Sequence, residues 1–253
     1  MNLALTGRTI AIAGSTGGIG SLLAASLDQE HARLLFVGGR PDHLTALADA
    51  LSPGSLVGTI PGDLRRESDR NQCVAALRGS TEIDGFVFLP AQLRTDSFSD
   101  ARSSELRETF DVNVLAAFEF AQAVLSRASS SASLVFVSSI DAHRHPRQTP
   151  SASYDASKRA LESISESVAV EAGSRGIRSN CVIPGLIRTP MTEDFFGEEF
   201  DAERLQFLDA VPLGKSGKPE DIVSLILFLL SPISGYLSGA SIPVDGGFMC
   251  QGL

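Results

Sequence analysis

The stretch Thr9-Ile10-Ala11-Ile12-Ala13-Gly14-Ser15-Thr16-Gly17-Gly18-Ile19-Gly20 decides how the chain is read. Its first five residues form an apolar run of strand length, and over residues 19–27 the apolar positions recur with a helical period. The turn between them is rich in glycine, which permits a tight reversal and lets backbone N–H groups come close to a pyrophosphate. The helix that follows points its positive end at the same charge. Strand, glycine turn and helix in this order make a dinucleotide site a stronger reading than an ordinary flexible loop.

Outward from that turn, short apolar runs alternate with longer helical segments. Strands are expected at Leu34-Leu35-Phe36-Val37, Val57-Gly58-Thr59-Ile60, Gly85-Phe86-Val87-Phe88-Leu89, Leu134-Val135-Phe136-Val137, Ser179-Asn180-Cys181-Val182-Ile183 and Ala240-Ser241-Ile242-Pro243-Val244. Helices are expected over 44–51, 69–77, 105–126, 153–172 and 219–230. Runs that are apolar throughout suit a sheet buried on both faces, and strict alternation suits parallel strands. The expectation is an α/β fold, a Rossmann-like doubly wound parallel sheet of about seven strands with helices on both faces. One domain, 1–253, is expected, with the serine-rich stretch 126–133 read as a helix–strand loop.

Composition narrows the function. The 253 residues carry a formal net charge of −9, which disfavours nucleic acid and anionic membrane surfaces as partners. The apolar run over 222–230 is too short to span a bilayer, and no secretory leader is evident at the start. Cys73, Cys181 and Cys250 are scattered without metal-ligand spacing, so a cytoplasmic protein with reduced thiols and no metal is expected.

Tyr154 and Lys158 stand four apart on an expected helix, so both side chains share one face with Cβ atoms about 5–6 Å apart. A tyrosine of ordinary pKa, near 10, is a poor acid–base group at neutral pH, and a neighbouring ammonium favours its ionisation. Alone, the spacing is equally a chance pair on a polar helix.

The wider pattern resembles the classical short-chain dehydrogenase/reductase family, in particular 3-oxoacyl-[acyl-carrier-protein] reductases. The resemblance rests on Gly14, Gly18 and Gly20 in the spacing Gly-x-x-x-Gly-x-Gly, and on Asn113 in Asp111-Val112-Asn113-Val114. It rests further on Ser138-Ser139, Tyr154-Asp155-Ala156-Ser157-Lys158, Pro184-Gly185-Leu186-Ile187-Arg188-Thr189 and Val244-Asp245-Gly246-Gly247. It covers roughly residues 6–248. It implies a ketone reductase or secondary-alcohol dehydrogenase that moves a hydride to or from a nicotinamide cofactor. Ser139 would orient the substrate oxygen and Tyr154 would transfer the proton. Lys158 would lower the tyrosine pKa and bind the nicotinamide ribose, and Asn113 would hold a water that links the lysine to solvent.

The same resemblance implies cofactor contacts from Gly14, Ser15, Thr16, Gly18, Ile19 and Gly20, from Asp63, Leu64 and Ala91, from Tyr154 and Lys158, and from Pro184, Gly185, Ile187 and Thr189. The second strand ends Val37-Gly38-Gly39-Arg40. An acid there would bind the ribose hydroxyl of NAD, whereas Arg40 can pair with the 2′-phosphate of NADP, so NADP(H) is expected over NAD(H). Asp42 lies just beyond the turn. A homotetramer or homodimer packed through the helices of Asn113 and Tyr154 is implied, acting on a small carbonyl or alcohol substrate.

Two segments depart from the pattern, and a third bears on the substrate. The fourth strand ends Leu89-Pro90-Ala91-Gln92 where the family has Asn-Asn-Ala-Gly, which motivates a non-redox step on the same fold as an alternative; a cofactor-binding sensor or scaffold is a second alternative, against which the intact Ser139, Tyr154, Lys158 and Asn113 argue. The loop Asp141-Ala142-His143-Arg144-His145-Pro146-Arg147 is basic and could bind a substrate carboxylate or phosphate through Arg144 and Arg147. The resemblance implies that the segment 189–212 is a substrate lid, and its Phe195, Phe196, Phe200, Leu205, Phe207 and Leu208 suggest an apolar substrate body.

Overall fold

The computed structural model describes residues 2–144, 150–197 and 201–250. Seven strands form one parallel sheet: β1 (Thr9–Ala13), β2 (Arg33–Val37), β3 (Leu56–Ile60), β4 (Ile83–Phe88), β5 (Ala128–Val137), β6 (Arg178–Pro184) and β7 (Ser241–Val244), in the order β3-β2-β1-β4-β5-β6-β7. Between them run α1 (Gly18–Gln29), α2 (Pro41–Asp49), α3 (Glu67–Arg78), α4 (Ser103–Phe110), α5 (Ala116–Leu125), α6 (Ala152–Ala172), α7 (Asp201–Asp209) and α8 (Pro219–Leu230). This is the doubly wound, Rossmann-like architecture expected.

Alternation along each central strand divides the core. One set of side chains, including Phe86, Phe88, Phe120 and Phe136, fills the face covered by α3, α5 and α6. Phe136 meets Phe86 edge-on at 6.3 Å between centroids, and Phe120 meets Phe88 at 6.4 Å. The other set, including Ile10, Ile12, Phe36, Val87 and Val135, packs with Leu23 of α1 and Ile226 and Leu229 of α8. Burying each such side chain contributes about 1.5–3 kcal/mol, which is why the strands read as unbroken apolar runs.

Several elements differ from expectation. β5 starts at Ala128, inside the serine-rich stretch read as a loop. Its hydroxyls have fixed partners: Ser129 donates to Asp84 at 2.8 Å and Ser133 to the Leu229 carbonyl at 2.7 Å, so polarity here does not mean solvent. α2 begins earlier than expected, because Pro41 supplies the first helical φ. The long helix expected over 105–126 is interrupted by a π turn, Asp111–Leu115, closed by the Ala116 N–H on the Asp111 carbonyl. The expected lid contains a helix of its own, α7.

Candidate active site

The strand order reverses between β1 and β4, and in such sheets ligands bind beyond the carboxyl ends of the strands at that point. The residues that follow the sheet strands and were singled out from the sequence lie on this edge. Gly14 follows β1, Arg40 follows β2, Asp63 and Leu64 follow β3, Ala91 follows β4, Ser139 follows β5, and Gly185, Ile187 and Thr189 follow β6.

The turn is packed too tightly for side chains at Gly14, Gly18 and Gly20. A Cβ on Gly20 would stand 2.2 Å from the Gly14 carbonyl oxygen, so α1 can start this close to the turn only with glycine there. Gly14 has φ +78°, and a Cβ on it would lie 3.0 Å from the Pro90 nitrogen. Pro90 is therefore seated on the turn, and the missing N–H leaves no donor stranded against it. A Cβ on Gly18 would meet Pro190 Cδ at 2.8 Å and Thr189 Cβ at 3.2 Å, so the segment after β6 closes over the start of α1. Ser15 is buried, and its Oγ has no partner among the described residues.

A groove of about 740 Å³ runs along the ends of β2, β3 and β4, lined by Arg40, Asp63, Leu64, Ala91, Gln92 and Val112 among others. Its walls are fixed by the Gly39 and Gly62 backbones, which exchange hydrogen bonds of 2.8 and 3.1 Å. Thr16 is exposed, with its Oγ1 next to Gly39. Arg40 is exposed but engaged: its Nε and Nη2 donate to Asp42 at 3.1 and 2.6 Å. Asp42, which the sequence places beyond the turn, reaches back from the first turn of α2. Asp63 is held likewise by Arg65, at 2.7 Å, which keeps its carboxyl below the usual carboxylate range.

The second half of the site is built on α6 and the end of β5. Lys158 is buried, and its Nζ donates to the Val137 carbonyl at 2.8 Å while standing 5.5 Å from the centre of the Tyr154 ring. Burial pulls the lysine down to about 8. Tyr154 is pushed upward, first by burial and next by the charge of Asp141, with the Ser139 hydroxyl opposing both. The lysine-driven lowering expected from the spacing is not found; burial sets the direction, and the phenol keeps its proton at neutral pH. Ser139 Oγ donates to Asp141 Oδ2 at 3.1 Å and accepts from the Asp141 N–H at 3.2 Å.

Asn113 sits fully buried on the π turn. Its Oδ1 accepts from the Gln92 N–H at 2.7 Å, and its Nδ2 donates to the Gln92 carbonyl at 3.2 Å and to Ser157 Oγ at 2.9 Å. Both amide hydrogens are thereby spent within the protein. Ser157 in turn donates to the Tyr154 carbonyl at 2.7 Å, which connects the unusual β4 end to α6. Pro184 ends β6, and the Gly185 N–H donates to Val244 at 2.9 Å; a Cβ on Gly185 would lie 2.8 Å from Asp245 Cα. Asp245 accepts from the Gly247 and Met249 N–H groups, so the C-terminal motif braces this turn. Thr192 Oγ1 donates to the Ile187 carbonyl at 2.6 Å and accepts from the Thr189 N–H at 3.0 Å. Ile19 lies in the first turn of α1 beside Gly18.

The chain matches a family profile described as "Enoyl-(Acyl carrier protein) reductase" over residues 13–249. It is 31% identical to a tropinone reductase homolog of Arabidopsis thaliana, over 98% of this chain and 94% of that protein. It is 32% identical to the L-xylulose reductase of Bos taurus, over 98% of this chain and 99% of that one. A short-chain dehydrogenase/reductase from Serratia marcescens superposes with a TM-score of 0.86 at 27% identity, covering 96% of this chain and 98% of that one. The chain belongs to the short-chain dehydrogenase/reductase family. This is a family of oxidoreductases acting on alcohol and carbonyl groups with NAD(P) cofactors.

The residues present fit a nicotinamide dinucleotide. Gly14, Gly18 and Gly20 have no room for side chains, the Ser15 hydroxyl is buried without a partner among the described residues, and a groove with cationic Arg40 on its lining runs along the neighbouring strand ends. Four contributors went unrecognised in the sequence: Ser157, Gln92 as a tie rather than a defect, Pro190, and Asp141. Ser157 alone carried a signal, as part of the helix motif. His145, Pro146, Arg147 and Phe200 lie outside the described residues. The His143 ring is turned onto Glu162, with Nε2 at 2.9 and 3.1 Å from its oxygens. Among the described residues no three His, Cys, Asp or Glu side chains converge on a metal site, and no helix is long and apolar enough to cross a membrane.

Proposed function

We propose that this chain reduces a ketone to a secondary alcohol, or runs the reverse oxidation, with NADP(H) preferred to NAD(H). The observation that carries the reading is the convergence of Ser139, Tyr154 and Lys158 beyond β5, on the same edge of the sheet as the glycine turn. The cofactor would be held by Gly14, Ser15, Thr16, Gly18, Ile19 and Gly20, by Asp63, Leu64 and Ala91 in the groove, by Lys158 and Tyr154 at the ribose, and by Pro184, Gly185, Ile187 and Thr189. Arg40 would take the 2′-phosphate. When bound, the reduced nicotinamide supplies a hydride to the carbonyl carbon and is itself oxidised.

The chain's own residues do the rest. Ser139 Oγ holds and polarises the carbonyl oxygen. Tyr154 Oη gives that oxygen its proton, and burial keeps the phenol in the acid form that reduction consumes. Lys158, fixed by Val137, stabilises the phenolate left behind. Because the Asn113 amide is spent on Gln92 and Ser157, a water that resupplies the proton would be held by the backbone of the π turn rather than by this side chain. The segment 189–212 would act as a lid; Phe207 stacks on Phe248 at 4.8 Å and anchors its far end.

A cytoplasmic setting fits three free thiols, and apolar Leu106, Leu115 and Phe118, exposed on the π-interrupted helix, would suit a dimer or tetramer contact. The clasp between Gln92 and Asn113 ties the altered end of β4 into the site, which supports the redox reading over a non-redox step. The test is NADPH absorbance against a panel of ketones: oxidation of the cofactor supports the reading, and cofactor-neutral turnover overturns it. Tyr154→Phe is expected to lose turnover by several orders of magnitude while still binding NADPH.

A further inference from the structure

One buried guanidinium is tied to two walls of the groove. Arg70 lies on α3, buried, and its nitrogens go three ways. Nη1 donates to the Leu64 carbonyl at 2.9 Å, Nε donates to Glu119 Oε2 of α5 at 3.2 Å, and Nη2 pairs with Asp111 Oδ1 at 3.3 Å. Leu64 follows β3, and Val112 stands next to Asp111 on the π turn; both line the groove. The arginine therefore bridges the segment after β3 and the π turn.

α3 comes close enough to do this because Gly62 lacks a side chain: a Cβ there would stand 2.8 Å from Cys73 Sγ and 3.5 Å from Asp69 Cβ. Asp69, the residue before Arg70, accepts the Asp63 N–H at 3.0 Å. Two successive side chains of α3 thus hold the Asp63-Leu64 pair, one by its N–H and the other by its carbonyl. At the other end, Asp111 opens the π turn, and Asn113, two residues on, clasps Gln92, which is a third groove residue. A π turn interrupts the regular helical ladder, so an anchor at its first residue fixes where Val112 and the clasp stand.

Stability alone is a weak reason for this arrangement. Burying an ion pair carries a desolvation cost, and apolar side chains of similar volume often do as well or better. What an apolar side chain cannot do is hold a carbonyl and two carboxylates in fixed directions, which the flat guanidinium does. A slot whose walls are set before the ligand arrives loses less ordering entropy on binding.

We infer that Arg70 is a positioning residue for the dinucleotide: it holds the Leu64 and Val112 walls at one spacing, so that the adenosine half enters a preformed slot. This rests on the reading above that the groove takes part of the cofactor, and deepens it.

The test is titration calorimetry with NADPH, NADH, 2′,5′-ADP and 5′-ADP on the native protein and its variants. Arg70→Met removes every polar contact of the guanidinium. It is expected to raise Kd for the dinucleotide and for the adenosine fragment by a common factor of about tenfold or more. Asp111→Ala cuts the strut to the π turn while Glu119 and the Leu64 carbonyl keep the guanidinium paired, and is expected to raise the same Kd values by about threefold or more. Leu229→Ala opens a cavity in the core on the opposite face of the sheet and lowers stability, yet is expected to leave the Kd values within about twofold of native. If Arg70→Met folds and binds within about twofold of native, or if Leu229→Ala weakens binding as much as it does, Arg70 serves stability alone and the inference is overturned. Should Arg70→Met fail to fold, Asp111→Ala set against Leu229→Ala decides by the same criterion. A native protein that binds a dinucleotide but neither fragment has no preformed adenosine slot, which also overturns the inference. If the native protein binds none of the ligands, the dinucleotide reading itself fails and takes the inference with it.

Discussion

Gln92 and Asn113 hold each other by two hydrogen bonds, 2.7 Å from the Gln92 N–H to Asn113 Oδ1 and 3.2 Å from Asn113 Nδ2 to the Gln92 carbonyl. Both bonds use the backbone of Gln92, not its side chain. Asn113→Ala strands a partly buried N–H and carbonyl, at a cost of about 1–3 kcal/mol. In a chain of this size that lowers Tm by roughly 3–10 °C. Gln92→Ala leaves the clasp intact and is expected to stay within about 0.5 kcal/mol of the native protein. Thermal denaturation of the two variants checks the contrast.

Lys158 links stability to pH. Its ordinary pKa, 10.5, applies to the unfolded chain, and burial brings the folded value down to about 8. Between those values the unfolded chain binds the extra proton, so this residue makes the protein more stable as pH rises from about 8 towards 10.5. Below that window the folded lysine is charged and its burial cost is constant. Lys158→Met has no such group, so any stability it gains over the native chain at pH ~7 shrinks by pH ~10. Urea midpoints of both proteins at the two pH values measure this, and an advantage that stays constant or grows with pH refutes it.

The exposed pair between Arg40 and Asp42 contributes little to stability but competes for the arginine. If Arg40 recognises the 2′-phosphate, Arg40→Ala raises the Kd for NADPH by about 10–100-fold with little change for NADH. Asp42→Asn releases the guanidinium and strengthens NADPH binding by a smaller factor. Fluorescence titration with each cofactor, at fixed salt, reads both effects.

The thiols differ sharply in reactivity. Burial raises Cys73 to about 11 and Cys181 to about 12, whereas Cys250 is exposed. Because the thiolate is the reactive form, one equivalent of a disulfide reagent is consumed quickly by the native protein at mildly alkaline pH. The remaining two react only as the protein unfolds. Cys250→Ser is expected to abolish the fast phase.

The sheet was legible because its inner strands are covered on both faces and so are written as apolar runs, and the turn from Gly14 to Gly20 was legible because close backbone approach demands glycine. What escaped notice is polar structure satisfied over long sequence separations. Ser129 and Ser133 look like loop residues until Asp84 and the Leu229 carbonyl are brought to them. α7 shows no clear apolar stripe in sequence, and a π turn is too small a shift in period to detect. Asp141 read as one member of a basic loop, because nothing local announces that His143 will fold onto Glu162, nineteen residues away.

The sheet order has a kinetic consequence. β1 is flanked by β2 and β4, and its first N–H is bound by Asp84, seventy-five residues later in the chain. The glycine turn cannot be fixed from both sides until β4 has been synthesised and has docked against β1. Loop closure of that length precedes its reward, so refolding is expected to be slow compared with helical proteins of similar size. During that interval the apolar edge of β1 is open, which is when a chaperone would find this chain and when crowded refolding would lose it to aggregation.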